Sequence, residues 1–344
     1  MSLHSRKRRP HRRFLAAAWL GICLLWTQTA RAEEVNLMLD WLIYGKHAAF
    51  YAGIERGFYK AAQIDPLIRR GFGSGDTVKA VGSGSSEVGL ADIGSLIVGR
   101  GQGLATQMIW MIDDKNLHTL NVLADSGIRK PKDLKGKRLG SPVGNAVRVI
   151  FPAFAGANGL DPKGVIWVDM TAAAIQPSLL SGKTDVAPLY ATTIPVLRQL
   201  AKKAGKEIHT LRYNDWGVDV YGNGLLVRDE AVSAKAAKLR RFLEATARAY
   251  LWSIENPAAA VRDFLKHNSQ VNPALGRAQW DVQVEYTVTD GTRKYGIGFM
   301  EAGKMRSTLN LYAKYMSLKK PVGLSEIYTT ALLPARPYVP KSGK

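Results

Sequence analysis

Cysteine is nearly absent from this sequence. Among its 344 residues the one cysteine is Cys23, which lies in an N-terminal segment that we expect to be removed. A chain that has lost this residue can form no disulfide, and it has neither a thiolate ligand for a metal nor a cysteine nucleophile. The absence therefore excludes disulfide-stabilised folds and cysteine-dependent chemistry for the mature protein.

Long hydrophobic runs are also lacking. The apolar stretch from Phe14 to about Trp26 is shorter than the roughly 20 residues of a membrane-spanning helix, and no later segment is long and apolar enough. It follows a basic segment without acidic residues and precedes the small-x-small sequence at 30–32. These are the features of a secretory signal peptide. We expect cleavage of residues 1–32 after Ala32 and export to the periplasm, by either the Sec or the twin-arginine route.

Acidic residues are too few to balance the basic ones. Residues 1–32 hold seven of the 48 basic residues and none of the 28 acidic ones, so the mature chain keeps 41 basic residues and is still strongly basic. These residues are scattered, with no basic run interleaved with aromatic residues. Because net charge informs first on solubility, we expect a solvated basic surface and no nucleic-acid partner.

Complete catalytic and nucleotide-binding motifs are missing as well. Asp76 stands where a dinucleotide fingerprint that starts at Gly71 needs its third glycine, and segment 180–184 (LSGKT) has Pro177 where a Walker motif needs glycine. There is no H-E-x-x-H or G-x-S-x-G, and the histidines do not have metal-ligand spacing. We therefore expect no catalytic residue, no metal site and no cofactor.

Strands and helices alternate along most of the remaining chain. An alternating strand at 35–39 precedes a helix at 48–57, and the same pattern starts again after a polar stretch at 125–137, with one helix over 146–158. This alternation predicts largely parallel sheets flanked by helices. We expect two α/β lobes, the second inserted into the first. The predicted ranges are lobe 1 at 33–124, lobe 2 at 125–221, and the return to lobe 1 with C-terminal helices at 222–344.

One segment, LDWLIYGKHAAF at 39–50, places polar and aromatic side chains at the end of the first strand. The strand gives way there to a turn and then to a helix. In open α/β sheets, ligands bind outside the carboxyl ends of the strands. We therefore predict that Asp40, Trp41, Tyr44 and His47 contact a ligand.

Small-residue turns precede several helices, at 73–76, 94–95, 144–145 and 191–193. Asp76 or Thr77 is the predicted cap of the first of these helices. The unpaired N–H groups at a helix start attract anionic or acceptor groups, and aromatic rings near strand ends can sandwich a planar ligand. The full set of predicted ligand-binding residues is Asp40, Trp41, Tyr44, His47, Gly73, Ser74, Gly75, Asp92, Ser95, Gly144, Asn145, Tyr190, Trp216 and Tyr221.

Several segments resemble one protein family. They are LDW at 39–41, HA at 47–48, YA at 51–52, ERGFY at 55–59, GSG at 73–75, VGLAD at 88–92, DSGI at 125–128 and DLKGK at 133–137. Over most of 35–230 the chain is similar to the solute-binding proteins of ABC importers for nitrate, taurine and sulfonates, and for thiamine pyrimidine precursors. The resemblance implies a type II periplasmic-binding-protein fold, whose two lobes each have a mixed, mostly parallel sheet flanked by helices, with the ligand cleft between them. It also implies a membrane permease and its cytoplasmic ATPase as partners, with the membrane contacted only through the permease.

The pyrimidine-binding branch of this family uses the D-W and following H-A segments in its ligand pocket, which implies that role for Asp40, Trp41 and His47. That branch usually has a Pro-Asn pair shortly after the tryptophan, where this chain has Ile43-Tyr44. Some relatives are enzymes that make the pyrimidine and carry a cysteine-rich iron-binding segment. This chain has no cysteine after residue 23 and so does not carry that segment.

Our first hypothesis is a monomeric, non-enzymatic periplasmic receptor for one small planar or anionic solute: a pyrimidine precursor, a sulfonate or an aromatic acid. Trp41 and Tyr190 would stack on the solute, and Asp40 and His47 would hydrogen-bond to it. The turns at 73–75 and 144–145 would donate N–H groups. The alternatives are an exported enzyme or ligand sensor acting on a pyrimidine-like or aromatic compound, and a membrane-surface adhesion or sensor protein that uses the basic charge.

Overall fold

Mixed β-sheets organise the part of the chain that the computed structural model describes, residues 1–2 and 31–341. The first sheet contains β1 (Glu33–Met38), β2 (Ile64–Arg69), β3 (Val88–Asp92), β4 (Thr106–Met111) and β10 (Asn223–Arg228). Its order is β2-β1-β3-β10-β4. β1 runs parallel to β2 and β3, whereas β10 runs antiparallel to β3 and β4. The predicted signal peptide, with Cys23, lies outside the described residues except at its two ends.

A second group of strands repeats this arrangement. It contains β5 (His118–Leu123), β6 (Arg138–Gly140), β7 (Ile166–Val168), β8 (Ala187–Tyr190) and β9 (Ile208–Arg212). β5 is antiparallel to both β8 and β9, and β6 is parallel to β7. A parallel bridge between Leu139 and Val186 joins the two parts. The resulting order, β7-β6-β8-β5-β9, matches the first sheet strand for strand, with β5 in the place of β10.

Helices connect the strands and form most of the C-terminal part. They are α1 (Ala48–Glu55), α2 (Phe58–Ala61), α3 (Ser74–Gly82), α4 (Ile93–Gly101), α5 (Ala146–Val149), α6 (Phe151–Ala157), α7 (Ile175–Leu180), α8 (Ile194–Lys203), α9 (Asp229–Ala234), α10 (Ala236–Glu255), α11 (Pro257–His267), α12 (Pro273–Thr287), α13 (Asp290–Tyr295), α14 (Ala302–Tyr315) and α15 (Leu324–Ile327). None of the helices in the described ranges has the length and apolar character that crossing a membrane requires.

Buried apolar side chains hold the helices against the sheets. In β1, Val35 and Leu37 are fully buried and alternate with more exposed residues, the two-residue period of a strand with one covered face. In α10, Leu239, Phe242 and Leu243 are buried, which is the spacing of one helix face. α10 packs with α1 and α11, and this layer fixes the start of α1 relative to the end of β1.

The chain passes between the sheets twice. It leaves the first sheet between Met111 and His118 and returns to it between Arg212 and Asn223. Because β5 hydrogen-bonds to β8 and β9, 118–123 belongs to the second sheet, although the sequence prediction assigned these residues to lobe 1. Below, lobe 1 denotes the part built on the first sheet and lobe 2 the part built on the second.

Two predicted helix boundaries are wrong. The single helix predicted over 146–158 is divided into α5 and α6, because Pro152 lies in the first turn of α6, where its missing N–H is tolerated, and would break a longer helix. α3 begins at Ser74 with Gly73 as its N-cap, so Asp76 and Thr77 lie within its first turn and do not cap it. Sequence reasoning also missed α8 and the edge strand β9.

Candidate ligand-binding site

A narrow cavity lies between the lobes, at the carboxyl ends of β1 and β8. Lobe 1 contributes Asp40, Trp41, Tyr44, Lys46 and Ser74, and lobe 2 contributes Asn145, Ala146, Leu189, Tyr190, Thr192 and Thr193. These residues line a space of about 340 Å³, which is within the size range of small-molecule pockets.

A buried ion pair forms the floor of the cavity. The Lys46 ammonium lies 2.5 Å from Oδ2 of Asp40, and both side chains are almost inaccessible to solvent. A short 3-10 turn at 45–47 brings Lys46 back to the end of β1. Gly45 allows this turn because a Cβ there would lie closer than 3.0 Å to the backbone of Gly276 in α12, and Gly45 N–H donates to Gln279.

Asp40 is held as a carboxylate by its neighbours. Nε2 of His47 lies 3.0 Å from Oδ1, and Nδ2 of Asn223 donates to Oδ2 over 3.1 Å. Burial alone would raise the pKa of Asp40, but the Lys46 ammonium and the His47 hydrogen bond outweigh burial and hold the pKa well below its usual range. The cavity floor therefore carries one negative and one positive charge at neutral pH.

His47 supports Asp40 from outside the cavity. Burial lowers the pKa of His47 despite the neighbouring carboxylate, which favours the neutral ring at pH 7. Its Nδ1 lies 3.2 Å from the Tyr44 N–H and accepts that hydrogen bond, so the proton is on Nε2 and is donated to Asp40. His47 thus fixes the carboxylate and does not line the cavity.

A second carboxylate, Asp113, lies behind the floor. Its two oxygens accept hydrogen bonds from the Gln283 side chain and the Asn223 N–H. Burial raises the pKa of Asp113 to about 7, against the opposing effects of Lys46 and these hydrogen bonds. Asp113 is therefore only partly charged at neutral pH.

Tyr190 links the lobes through hydrogen bonds. Its hydroxyl donates to Oδ1 of Asn223 over 3.1 Å and lies 3.3 Å from the Ser74 hydroxyl. Ser74 Oγ in turn accepts the Asp92 N–H over 3.1 Å. The Lys46 ammonium lies 4.8 Å from the centre of the Tyr190 ring, within the range of a cation–π contact. Tyr190 therefore contacts both the ion pair and the polar wall of lobe 1.

Aromatic side chains flank the remaining space. Trp41 and Tyr44 follow Asp40 in lobe 1, and Tyr190 faces them from lobe 2. Burial raises the pKa of Tyr44 to about 12 and raises that of Tyr190 well above its ordinary value, so both hydroxyls are neutral and can donate hydrogen bonds. A cavity of this kind offers aromatic surface and a few polar groups, which suits a small planar molecule.

The structure brings six of the predicted residues together at this cavity. They are Asp40, Trp41, Tyr44, Ser74, Asn145 and Tyr190. Gly73, Gly75 and Gly144 lie at a contact between the lobes instead, where the Gly75 N–H donates to the Gly144 carbonyl over 3.1 Å. That N–H is therefore already paired within the protein.

The other predicted residues lie away from the lining. Asp92 caps α4 through the Ser95 N–H, and its Oδ2 lies 3.3 Å from Nε2 of His118, behind Tyr190. Trp216 packs against a hydrophobic cluster that spans both lobes, and its carbonyl oxygen accepts a hydrogen bond from Asn158. Tyr221 accepts a hydrogen bond from the Glu301 N–H and is covered by Lys304. The side chains of Asp92, Trp216 and Tyr221 thus make contacts within the fold itself, whereas the buried Ser95 hydroxyl has no hydrogen-bond partner among the described residues.

Sequence reasoning missed Lys46, which is the positive half of the ion pair. A signal was present, since Lys46 is the one fully charged side chain between Asp40 and Glu55, in an otherwise apolar and aromatic segment. Thr192 was noted only as part of a turn. It is buried and lines the cavity, and its hydroxyl has no hydrogen-bond partner among the described residues.

The sequence is similar to one protein family and to several curated proteins. A family model described as NMT1/THI5 like matches residues 45–260. The chain is 27% identical to the formylaminopyrimidine-binding protein of Halalkalibacterium halodurans, over 75% of this chain and 78% of that protein. It is also 22% identical to the 4-amino-5-hydroxymethyl-2-methylpyrimidine phosphate synthase of Schizosaccharomyces pombe, over 72% of this chain and 74% of that enzyme.

Comparison of structures identifies the fold. The periplasmic aliphatic sulphonate binding protein SsuA from Escherichia coli superposes with a TM-score of 0.65 at 13% identity, over 91% of this chain and 94% of that chain. At this identity the likeness concerns the fold alone. It confirms the predicted α/β periplasmic-binding-protein architecture.

Proposed function

Since this chain belongs to the NMT1/THI5-like family, we propose that it is the periplasmic solute-binding component of an ABC importer. It captures a small solute between its lobes and delivers it to a membrane permease that a cytoplasmic ATPase drives. In this proposal the protein is exported through the leader at 1–32 and acts as a monomer without catalysing a reaction. The observation that carries the proposal is the aromatic cavity between the lobes with the buried Asp40–Lys46 pair as its floor.

The charges of the cavity favour a neutral heteroaromatic solute over a sulfonate or an aromatic acid. Asp40 and Lys46 compensate each other, and the described residues of the lining include no further Lys, Arg, Asp or Glu. An anion would find no uncompensated cation there, and it would lose its hydration on entry. A ring that carries both donors and acceptors can bond to Asp40 and Lys46 at once.

The role of each lining residue follows from its chemistry. Trp41 and Tyr190 stack on the ring from the two lobes. Asp40 accepts a hydrogen bond from a ring or exocyclic N–H, and Lys46 donates one to a ring nitrogen or carbonyl oxygen. Thr192 supplies a further hydroxyl. A pyrimidine precursor has such groups, and the name of the Halalkalibacterium relative, a formylaminopyrimidine-binding protein, supports this choice.

The test is ligand-induced thermal stabilisation with a panel of formylaminopyrimidine, an alkanesulfonate and an aromatic carboxylate. A solute at about 100 times its Kd adds roughly 2.7 kcal/mol to the free energy of unfolding, which raises the Tm by several degrees. We expect the pyrimidine alone to raise it. A rise with the sulfonate or the carboxylate, and none with the pyrimidine, would overturn the assignment of the solute class.

Two tryptophan variants test the site itself. Trp41→Ala removes a stacking surface from the cavity and should abolish the rise in Tm with formylaminopyrimidine. Trp216→Ala is the matched control, since Trp216 is also half-buried but lies outside the lining, and it should bind the pyrimidine as the unchanged protein does. Equal binding by both variants would refute this location.

The second candidate function is an enzyme or sensor that acts on a pyrimidine. The similarity to a pyrimidine phosphate synthase over 72% of the chain is the observation in its favour. Mass spectrometry of the pyrimidine after prolonged incubation with the purified protein distinguishes the two. Recovery of unchanged pyrimidine supports a receptor, whereas a new product formed in proportion to protein supports an enzyme.

A further inference from the structure

The backbones of the two lobes are in direct contact beside the cavity. The turn at 73–75 precedes α3 in lobe 1, and Gly144 precedes α5 in lobe 2. The Gly75 N–H donates to the Gly144 carbonyl oxygen over 3.1 Å. We call this junction of 73–75 with Gly144 the glycine contact.

Side chains are excluded from the glycine contact on both sides. A Cβ on Gly73 would lie closer than 3.0 Å to the carbonyl group of Gly144, and Gly73 has a φ of 143°, which other residues rarely adopt. A Cβ on Gly144 would lie closer than 3.0 Å to the Asp76 carboxylate of lobe 1. The lobes approach this closely only because neither glycine carries a side chain.

The glycine contact separates two spaces. The residues next to it on the inner side, Ser74 and Asn145, line the cavity described above. Phe72 and Val143, on the outer side, line a groove of about 1380 Å³ that also lies between the lobes. The contact thus stands at the boundary between the inner cavity and the outer groove.

We propose that the glycine contact is the closing seal of the cavity, and that affinity for the solute depends on it although its glycines do not touch the solute. The turns at 73–75 and 144–145 then act on each other, in place of the N–H donation to a ligand expected from the sequence. When the lobes part, the Gly75–Gly144 hydrogen bond breaks and the cavity opens to the groove. The role in affinity rests on the proposed receptor function, whereas the role in closure does not.

Gly144→Ala tests the seal. The φ of Gly144 is not in the left-handed region, so alanine is not strained there, and the added methyl group meets the Asp76 carboxylate of lobe 1 only when the lobes are in contact. Spin labels report the separation of the lobes without any solute. With Cys23 changed to Ser, labels at Lys60→Cys in lobe 1 and Lys183→Cys in lobe 2 are the sole reactive thiols, since the sequence has no other cysteine. We expect Gly144→Ala to shift the distance distribution to longer values.

A second substitution provides a rescue. Asp76→Ala removes the carboxylate atoms that the new methyl group would meet, so Asp76→Ala with Gly144→Ala should restore the original distribution. Asp76→Ala alone should leave it unchanged. Gly164→Ala is the matched control in lobe 2, because the nearest atoms to its Cβ lie 3.9 Å away or more. An unchanged distribution in Gly144→Ala, or a shift that the double variant retains, would overturn the proposal.

Calorimetry with formylaminopyrimidine gives the second readout. We expect Gly144→Ala to weaken binding about tenfold, or about 1.4 kcal/mol, mostly through faster dissociation, and the double variant to recover it. Equal affinity of Gly144→Ala and the unchanged protein would show that the glycine contact does not contribute to solute binding. If the unchanged protein does not bind the pyrimidine, the proposed solute fails, while the spin-label distances still decide whether the seal exists.

Discussion

At the scale of single residues, the Asp40–Lys46 pair places two opposite charges in the protein interior. Each charge is buried, and each is tolerated because the other is present. Removing one member of such a pair leaves the other charge without compensation, which costs more than the pair itself contributes. A substitution that removes the charge of Asp40 or of Lys46 alone is therefore more destabilising than one that removes both charges.

The first prediction concerns Lys46→Met, which keeps the volume of the side chain and removes its charge. We expect a loss of about 3–5 kcal/mol in the free energy of unfolding, measured by urea denaturation. Combining it with Asp40→Asn should restore part of this loss. Arg277→Met breaks an exposed pair with Asp281 and should change stability by less than about 1 kcal/mol. A similar small loss in Lys46→Met would contradict the prediction.

The second prediction concerns Asp113 and pH. Its pKa in the folded protein, about 7, lies above the ordinary 3.8, so the folded state binds the proton more tightly than the unfolded state. Protonated Asp113 therefore contributes to the free energy of unfolding. This contribution is fully present below about pH 4 and is lost as the pH rises towards 7, and it amounts to roughly 4 kcal/mol at 1.36 kcal/mol per pKa unit. Asp113→Asn should remove this dependence.

His47 has the opposite effect, since its pKa is lowered in the folded state and its contribution to stability is lost as the pH falls. The measurement is therefore the difference in unfolding free energy between Asp113→Asn and the unchanged protein, taken from urea denaturation at pH 4.5 to 8. We expect the variant to gain relative stability as the pH rises. Parallel pH profiles of the two proteins would refute the raised pKa.

Sequence reasoning located this site by one argument, that ligands bind where β1 ends, and it found Asp40, Trp41 and Tyr44 in that way. It could not find the partner of Asp40, because the 45–47 turn that returns Lys46 to the strand end depends on α12, more than 200 residues away. Trp216 and Tyr221 were chosen as aromatic residues near crossings. Their side chains belong to or pack against a hydrophobic cluster that spans both lobes, and Tyr221 also accepts a hydrogen bond from the Glu301 N–H. No local pattern records these contacts.

At the scale of elements, the turn at 45–47 is held by α12. Gly45 N–H donates to Gln279, and its Cα lies against the backbone of Gly276. The position of Lys46 in the cavity therefore depends on a helix from the C-terminal part of the chain. Local patterns found α10 and α11 because their apolar faces repeat. In contrast, β9 lies at a sheet edge and is mostly half-buried, which leaves a weak pattern.

The third prediction compares the two glycines of this junction. Gly45→Ala places a methyl group into the backbone of α12, and overpacking of this kind costs about 1–3 kcal/mol. It should also weaken binding of formylaminopyrimidine, since Lys46 is displaced. Gly276→Ala has room for its methyl group and lies in a helix, so its stability should be equal or higher. Urea denaturation and calorimetry measure both effects, and equal behaviour of the two variants would contradict this account.

At the scale of the whole molecule, a basic surface surrounds a cavity whose lining charges cancel. The chain has 48 basic against 28 acidic residues, a balance that would attract anions to the surface. The cavity lining has one ammonium and one carboxylate. The surface thus favours anions, whereas the cavity favours neutral solutes. The salt dependence of binding distinguishes between these two modes of recognition.

The fourth prediction is that binding of formylaminopyrimidine changes little with salt. Exposed charges are screened over about 10 Å at 0.1 M ionic strength and 3 Å at 1 M, whereas buried pairs are screened much less. Calorimetry in 0.05 M and 0.5 M sodium chloride should give affinities within about twofold of each other, since the solute is neutral. A strong fall in affinity at high salt would indicate that the solute is recognised as an anion by the basic surface.

The two crossings of the chain also determine when folding can finish. The first sheet is incomplete without β10, which lies between β3 and β4 but ends only at Arg228. Strands that are distant in sequence must pair late, because closing a long loop costs entropy before the pairing repays it. A chain emerging from a ribosome therefore has no finished first sheet until about two thirds of it has been synthesised. We infer that the first sheet is completed only after every strand of the second sheet has been made.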